Sequence, residues 1–233
     1  MGFDPEHTKI LRQVSLFAGL ESQELQGILL AARLVQVEED GYYFMQGDPA
    51  AGIFVLMEGR VKLVQVSLEG QQVLMRVVVP PGVFGVVSLL EGGEFPVSAT
   101  AMQNSKALFW SAAEIQQIAS SYPAVAMNTI RVLAEQVQDF QARFRELATE
   151  RVERRLARTI IRLANQAGRK TAEGVLIDLP LTRQDLAEIS GTTLYTVSRI
   201  LSQWEERGIV QAGRERVVVR FPHGLVMIAD DLA

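Results

Sequence analysis

Midway along the chain, apolar residues recur at alternating spacings of four and three: Ala126, Ile130, Leu133, Val137, Phe140, Phe144 and Leu147. This heptad period, held over three repeats, predicts a long helix from about Pro123 to Leu147 with a seam built for a partner helix. Val125 and Val132 add a second apolar strip. An amphipathic helix lying on its own barrel is the plainer alternative, and with two strips the helix can do both jobs. Upstream, from about Val35 to Leu108, the pattern changes to short runs such as IFVLMEG, VKLVQVS and VLMRVVV. Turn signals separate them (GDPAAG, LEGQQ, PPGVFG), which predicts an all-β barrel or jelly roll. Before it, residues 4–33 look like short helices, with Ser22 as N-cap ahead of Leu25, Ile28 and Leu29.

Beyond the long helix the period returns to that of shorter helices. Val152, Leu156, Ile160, Leu163 and Ala167 predict one helix ended by Gly168. Thr182 opens the next, with Asp185 at capping-box spacing, and Gly191 separates it from a third. That third helix, ISGTTLYTVSRILSQW, has a stripe of Leu194, Val197, Leu201 and Trp204, with Ile200 beside it, expected to be buried. Its other face carries Tyr195, Ser198, Arg199 and Ser202. Ile209-Val210 and Val217 to Phe221 then read as a hairpin joined across Ala212-Gly213-Arg214. Two short helices meeting at a glycine describe a helix-turn-helix. Counted from Arg183, small Ala187 is fifth, where the helices approach, and Gly191 is ninth, where a positive φ is needed. Val197 and Ile200, fifteenth and eighteenth, pack the second helix onto the first. The hairpin makes a wing, and the module predicts DNA binding.

Charge first argues against that reading, since the 233 residues carry a net charge of −4. The distribution reverses the inference. Residues 151–220 hold 13 Lys and Arg against 8 Asp and Glu, so the basic excess lies with the helix-turn-helix. An apolar content of 48% supports packed domains, and no apolar run is long enough to span a bilayer. The start of the chain has no export-type pattern, so the cytoplasm is expected and a membrane partner is not. There are no cysteines, which excludes disulfides, thiolate chemistry and iron–sulfur clusters. Residues 35–110 contain no histidine and no nucleophile–base constellation appears, so neither an enzyme nor a metal site is expected. A dimeric scaffold that binds protein through the helix-turn-helix is the remaining rival.

Three stretches carry a family resemblance: QGDPAAGIFVLMEGRVKL, PPGVFG and LTRQDLAEISGTTLYTVSRILSQWEERGIV. With the long helix, they make the chain resemble the CRP/FNR family of bacterial transcription regulators over essentially its full length. The resemblance implies an α+β fold in three parts. These are an N-terminal β-roll of the cyclic-nucleotide-binding type (residues 1–120), a dimerisation helix (121–149) and a C-terminal winged helix-turn-helix (150–233). It also implies a homodimer on a two-fold operator of double-stranded DNA, with RNA polymerase as a further partner. The dimer contacts expected are Ile130, Leu133, Val137, Phe140, Phe144 and Leu147. In the family's recognition helix a Glu, a Ser and an Arg meet bases or phosphates. Ser198 and Arg199 match the last two, and Arg199 has a fork suited to guanine O6 and N7. Tyr195 stands where the Glu would be, so the usual half-site is not assumed. Thr182, Arg183, Thr193 and Ser202 complete the expected DNA-contacting set.

The resemblance also says what the roll lacks. FGVVSLLEGGEFPVSATA, from Phe84 to Ala101, occupies the place of the family's phosphate cassette. Val86 stands in place of the ribose-binding Glu, Pro96-Val97 in place of the phosphate-binding Arg-Ser pair, and Phe140 in place of a base-contacting Thr. Without the arginine, a buried cyclic phosphate has no counter-charge, so cyclic AMP in the usual mode is not expected. FPVSATA resembles the Dnr-like branch, associated with nitric oxide and denitrification, which leaves haem as a candidate cofactor. His7 and His223 are the two histidines and read as a terminal and a surface residue; Met45, Met57, Met75 and Met102 read as core filler. The alternatives are a weakly polar effector among Phe84, Val86, Ser88, Val97, Ser98 and Phe140, or regulation without a ligand. A hinge is placed in ATERVERRLAR. There Arg151, Arg154, Arg155 and Arg158 are either phosphate contacts or a solvated face.

Overall fold

The computed structural model describes residues 5–68, 70, 72–89 and 92–232. The chain divides into two compact units, Met1–Asp139 and Phe140–Ala233, and the division falls inside the long helix.

The first unit opens with α1 (Pro5–Leu11), a 3-10 turn (Ser15–Phe17) and α2 (Ser22–Leu30). Its β-strands are β1 (Arg33–Val37), β2 (Tyr42–Phe44), β3 (Gly52–Glu58), β4 (Val61–Val66), β5 (Gln72–Val78), β6 (Val83–Phe84), β7 (Ser98–Ala101) and β8 (Ser105–Ser111). They form two antiparallel sheets of four, in the orders β1-β8-β3-β6 and β2-β7-β4-β5, which is the expected roll. Strand β3 shows why GIFVLM is apolar at every position. Ile53, Val55 and Met57 join a core with Leu11, Phe17, Leu25 and Trp110. Phe54 and Leu56, facing the other way, join Phe44, Phe84 and Phe95 inside the roll. The Trp110 indole N–H, fully buried, donates to the Ile28 carbonyl at 2.8 Å and ties β8 to α2. Ser22 is not the N-cap of α2 as expected. Glu21 is, because the Glu24 carboxylate accepts from the Glu21 amide at 2.7 Å and the helix starts one residue earlier.

After α3 (Ala112–Ser121), the long helix α4 runs from Pro123 to Thr149. Within the first unit its second strip is the buried one: Val125 and Val132 pack inward, and the Asn128 amide donates to the carbonyls of Leu16 and Ala18. The heptad seam is left open. Ile130, Leu133, Val137, Phe140, Phe144 and Leu147 are each between 38% and 65% exposed.

The second unit contains α5 (Val152–Ala167), β9 (Gly168–Thr171), β10 (Gly174–Ile177), α6 (Arg183–Ser190), α7 (Leu194–Glu206), β11 (Val210–Gly213), β12 (Arg216–Val219) and α8 (Pro222–Ala229). The expected wing hairpin is half of a four-stranded sheet ordered β11-β12-β10-β9. Its turn sits at Arg214–Glu215, with Glu215 at φ 55°, one residue later than the glycine suggested. The β9–β10 hairpin, GRKTAEGVLI, escaped the sequence reading because Arg169, Lys170 and Glu173 give it the polarity of a loop. Helix α8 escaped it too, because PHGLVMIA is apolar without a clear period.

Candidate nucleic-acid interface

Local capping builds the helix-turn-helix. Thr182 is the N-cap of α6: its hydroxyl accepts from the Asp185 amide at 3.1 Å, and the Asp185 carboxylate accepts from the Thr182 amide at 2.8 Å. Gly191 closes α6 at φ 61° and ψ 50°, the left-handed conformation its position calls for. Thr193 caps α7 by accepting from the Thr196 amide at 3.2 Å. Thr182 and Thr193 are thus occupied with helix starts, while remaining exposed.

On α7 the two faces separate largely as the spacing predicts. Val197, Ile200, Leu201 and Trp204 are buried, and the Trp204 indole donates to Glu153 on α5 at 3.0 Å. Leu194 departs from the stripe and is 47% exposed, because it sits directly after the cap, ahead of the first packed residue, Val197. The opposite face presents Tyr195, 79% exposed, with Arg199 and Ser202 exposed and Ser198 half-buried. Neither Tyr195 nor Arg199 has a side-chain partner among the described residues, so a phenol and a guanidinium face outward on one helix face. Arg183 is half-buried at the start of α6.

The arginine run at the α4–α5 junction does something different from either expectation. Arg155 donates to the carbonyls of Ser190 at 3.0 Å, Gly191 at 3.0 Å and Glu150 at 2.9 Å. Arg158 pairs with Glu150 at 3.1 Å and reaches the Ala229 carbonyl at 2.9 Å. Arg154 also donates to the Ala229 carbonyl, at 3.1 Å, and Arg162 pairs with Glu146 on α4 at 2.8 Å. Arg154, Arg155 and Arg158 are therefore engaged within the protein rather than forming a solvated face; they cross-tie the junction where a hinge was expected. Arg151 is exposed.

The roll is filled with aromatic rings in the region of the cassette. Phe95 stacks on Phe44 at 3.6 Å, Phe84 stacks on Phe54 at 5.0 Å, and Tyr43 meets both Phe54 and Phe84 edge-on. Val97 packs against this cluster. Burial pushes the Tyr43 phenol above its ordinary pKa, opposed by its hydrogen bond with Ser105, so it stays neutral. Phe84, Val86 and Ser88 are each buried, but Phe84 lies in this cluster and Val86 in the core with Trp110; Ser98 accepts from the Gln46 amide at 2.9 Å. The Ser88 hydroxyl is buried without a hydrogen-bond partner among the described residues. Phe140 belongs to the second unit and is 58% exposed. Sequence reasoning missed Phe44, Phe54 and Phe95; the density of Phe in this stretch was the available signal. His7 lies on α1 and His223 on α8, and no group of acidic or histidine side chains among the described residues is arranged to hold a metal ion.

Two family models match the chain. Residues 34–122 match the cyclic nucleotide-binding domain, and residues 154–228 match the Crp-like helix-turn-helix domain. The cyclic AMP receptor protein of Thermus thermophilus is 28% identical, over 94% of this chain and 98% of its own length. The global nitrogen regulator of Nostoc sp. is 28% identical, over 79% of this chain and 84% of its own. Among solved structures, FixK2 from Bradyrhizobium japonicum shares the fold, with a TM-score of 0.74 at 22% identity, covering 84% of this chain and 96% of that one.

Proposed function

Because the chain is a DNA-binding transcription regulator of the CRP/FNR family with a cyclic-nucleotide-binding-like domain, and not an enzyme, we propose that it acts as a cytoplasmic homodimer reading a two-fold operator through α7. The observation that carries this reading is the outward face of α7, where Tyr195 and Arg199 stand exposed on a helix pinned by a buried Trp204. Arg199 is the principal base reader, suited to a guanine, and Tyr195 shifts the half-site away from one read by a carboxylate. The open heptad seam supports dimerisation, since six apolar side chains at regular spacing are left uncovered. RNA polymerase is the downstream partner. The test is binding of a duplex selected from a random pool by the wild-type protein, compared with a mixed-sequence duplex. Arg199→Ala abolishes the preference while the dimer persists; discrimination that survives the change refutes the role of Arg199.

The effector reading follows from the roll. Cyclic AMP in the usual mode is not the effector. Val86 and Pro96-Val97 offer neither carboxylate nor guanidinium, and the Phe44–Phe95 stack occupies the cassette region with apolar rings. The buried, unpartnered Ser88 hydroxyl favours a weakly polar small molecule, which shifts the population of active dimers. A second reading, regulation without a ligand, is favoured by the same aromatic filling. A haem-dependent sensor of the Dnr-like branch rests on the FPVSATA stretch alone. Native mass spectrometry of the protein from its own cells separates these: added mass identifies haem or a small effector, and a bare dimer favours the ligand-free reading.

A further inference from the structure

We infer that Arg155 is the positioning residue for DNA reading, orienting the helix-turn-helix against the end of the long helix so that α7 takes its direction from α4. This rests on the reading of α7 as the recognition helix. Three N–H groups of one guanidinium reach carbonyls of two different origins. Glu150 lies at the junction just past α4; Ser190 and Gly191 are the last residue and the cap of α6, at the turn that launches α7. The acceptors at α6 are the orphan carbonyls at the negative end of a helix, where a cation is favoured. The planar fork fixes direction as well as distance, which a flexible ammonium does not.

The other ties in the network have a different reach. Arg162–Glu146 and Arg158–Glu150 bind α5 to the end of α4, and Arg154 and Arg158 bind α5 to α8. Of these four arginines, Arg155 is the one that also reaches the α6–α7 turn. A second contact runs alongside it. Leu147 on α4 packs so closely on Gly191 that a Cβ there would lie 2.6 Å from Leu147 Cδ2. Leu147 is also the last residue of the heptad seam, so the turn that sets α7 touches the same side chain that meets a partner helix.

The absence of native cysteines makes the orientation directly measurable. A single Gln203→Cys, on the exposed part of α7, carries a nitroxide, and the label-to-label distance across the dimer is read by pulsed electron paramagnetic resonance. Arg155→Gln should leave the dimer and mixed-sequence binding unchanged, broaden that distribution, and lower the ratio of selected-duplex to mixed-duplex affinity at least tenfold. Arg155→Lys should not restore the narrow distribution, because the charge is kept and the fork is lost. If Arg155→Gln does not fold, Arg155→Lys carries the test alone, and a narrow distribution there overturns the proposal. An unchanged affinity ratio in a folded variant overturns it as well, whatever the distances show. If the wild-type protein itself shows no preference for the selected duplex, the DNA-reading premise has failed rather than the role of Arg155.

Discussion

Replacing Gly191 by alanine loads two separable costs onto the turn of the helix-turn-helix. The residue sits at φ 61° and ψ 50°, where an L side chain costs about 1–2 kcal/mol of backbone strain. A Cβ would also lie 2.6 Å from Leu147 Cδ2, so that side chain must leave its rotamer, which adds roughly 0.5–1.5 kcal/mol. Leu147 is half exposed and has room to move, which keeps the second cost near the bottom of its range. The total is about 1.5–2.5 kcal/mol, and it falls on the second unit. The protein supplies its own reporters, because Trp110 is buried in the first unit and Trp204 in the second. Urea unfolding followed by Trp204 fluorescence in a Trp110→Phe background therefore reports on the unit that contains the turn, without assuming that the whole chain unfolds in one step. The cycle with Leu147→Ala separates the terms, since removing the leucine should return the clash cost and leave the strain. A loss below about 0.5 kcal/mol would refute the need for a left-handed residue. Equal losses with and without Leu147 would show that the leucine yields freely.

Two further outcomes test other parts of the molecule. Phe144→Asp places a charge in the exposed seam and removes an apolar contact from both copies, about 2–3 kcal/mol each, so the dimer should weaken roughly a thousandfold or more in sedimentation equilibrium; an unchanged dimer would mean the seam faces no partner. The Glu114 carboxyl is held below the ordinary carboxylate range by the Ser111 amide first, then by the Ser111 hydroxyl and Arg33. Its folded-state value is the lower one, so its contribution is present above the unfolded carboxylate value and disappears as pH falls through the folded one. Stability of wild type and Glu114→Gln, followed by Trp110 in a Trp204→Phe background, should differ most near neutrality and converge in acid; a constant gap across that range refutes the role of the ionised carboxylate.

Much of the fold is written in local periods, and these were legible. The heptad seam of α4, the Thr182–Asp185 capping box, the left-handed Gly191 and the apolar side of α7 from Val197 onward each depend on residues within about two turns of one another, so spacing alone identifies them. Strand density was enough to announce the roll. Contacts between residues distant in sequence were not legible. Phe95 stacks on Phe44, about fifty residues away, and nothing in either segment names the other. Ser88 is buried with its hydroxyl unpartnered among the described residues, and nothing in its local sequence announces that. The β9–β10 hairpin is held by β12, so its polar sequence counted for less than its pairing. The arginines after α4 show the division most sharply. Their charge suggested phosphates or solvent, yet the folded unit brought carbonyls from α6 and α8 within reach of their guanidiniums. A local pattern can fix a helix and its faces, but which buried carbonyl lies beside which cation is decided by tertiary packing, because that proximity has no counterpart along the chain.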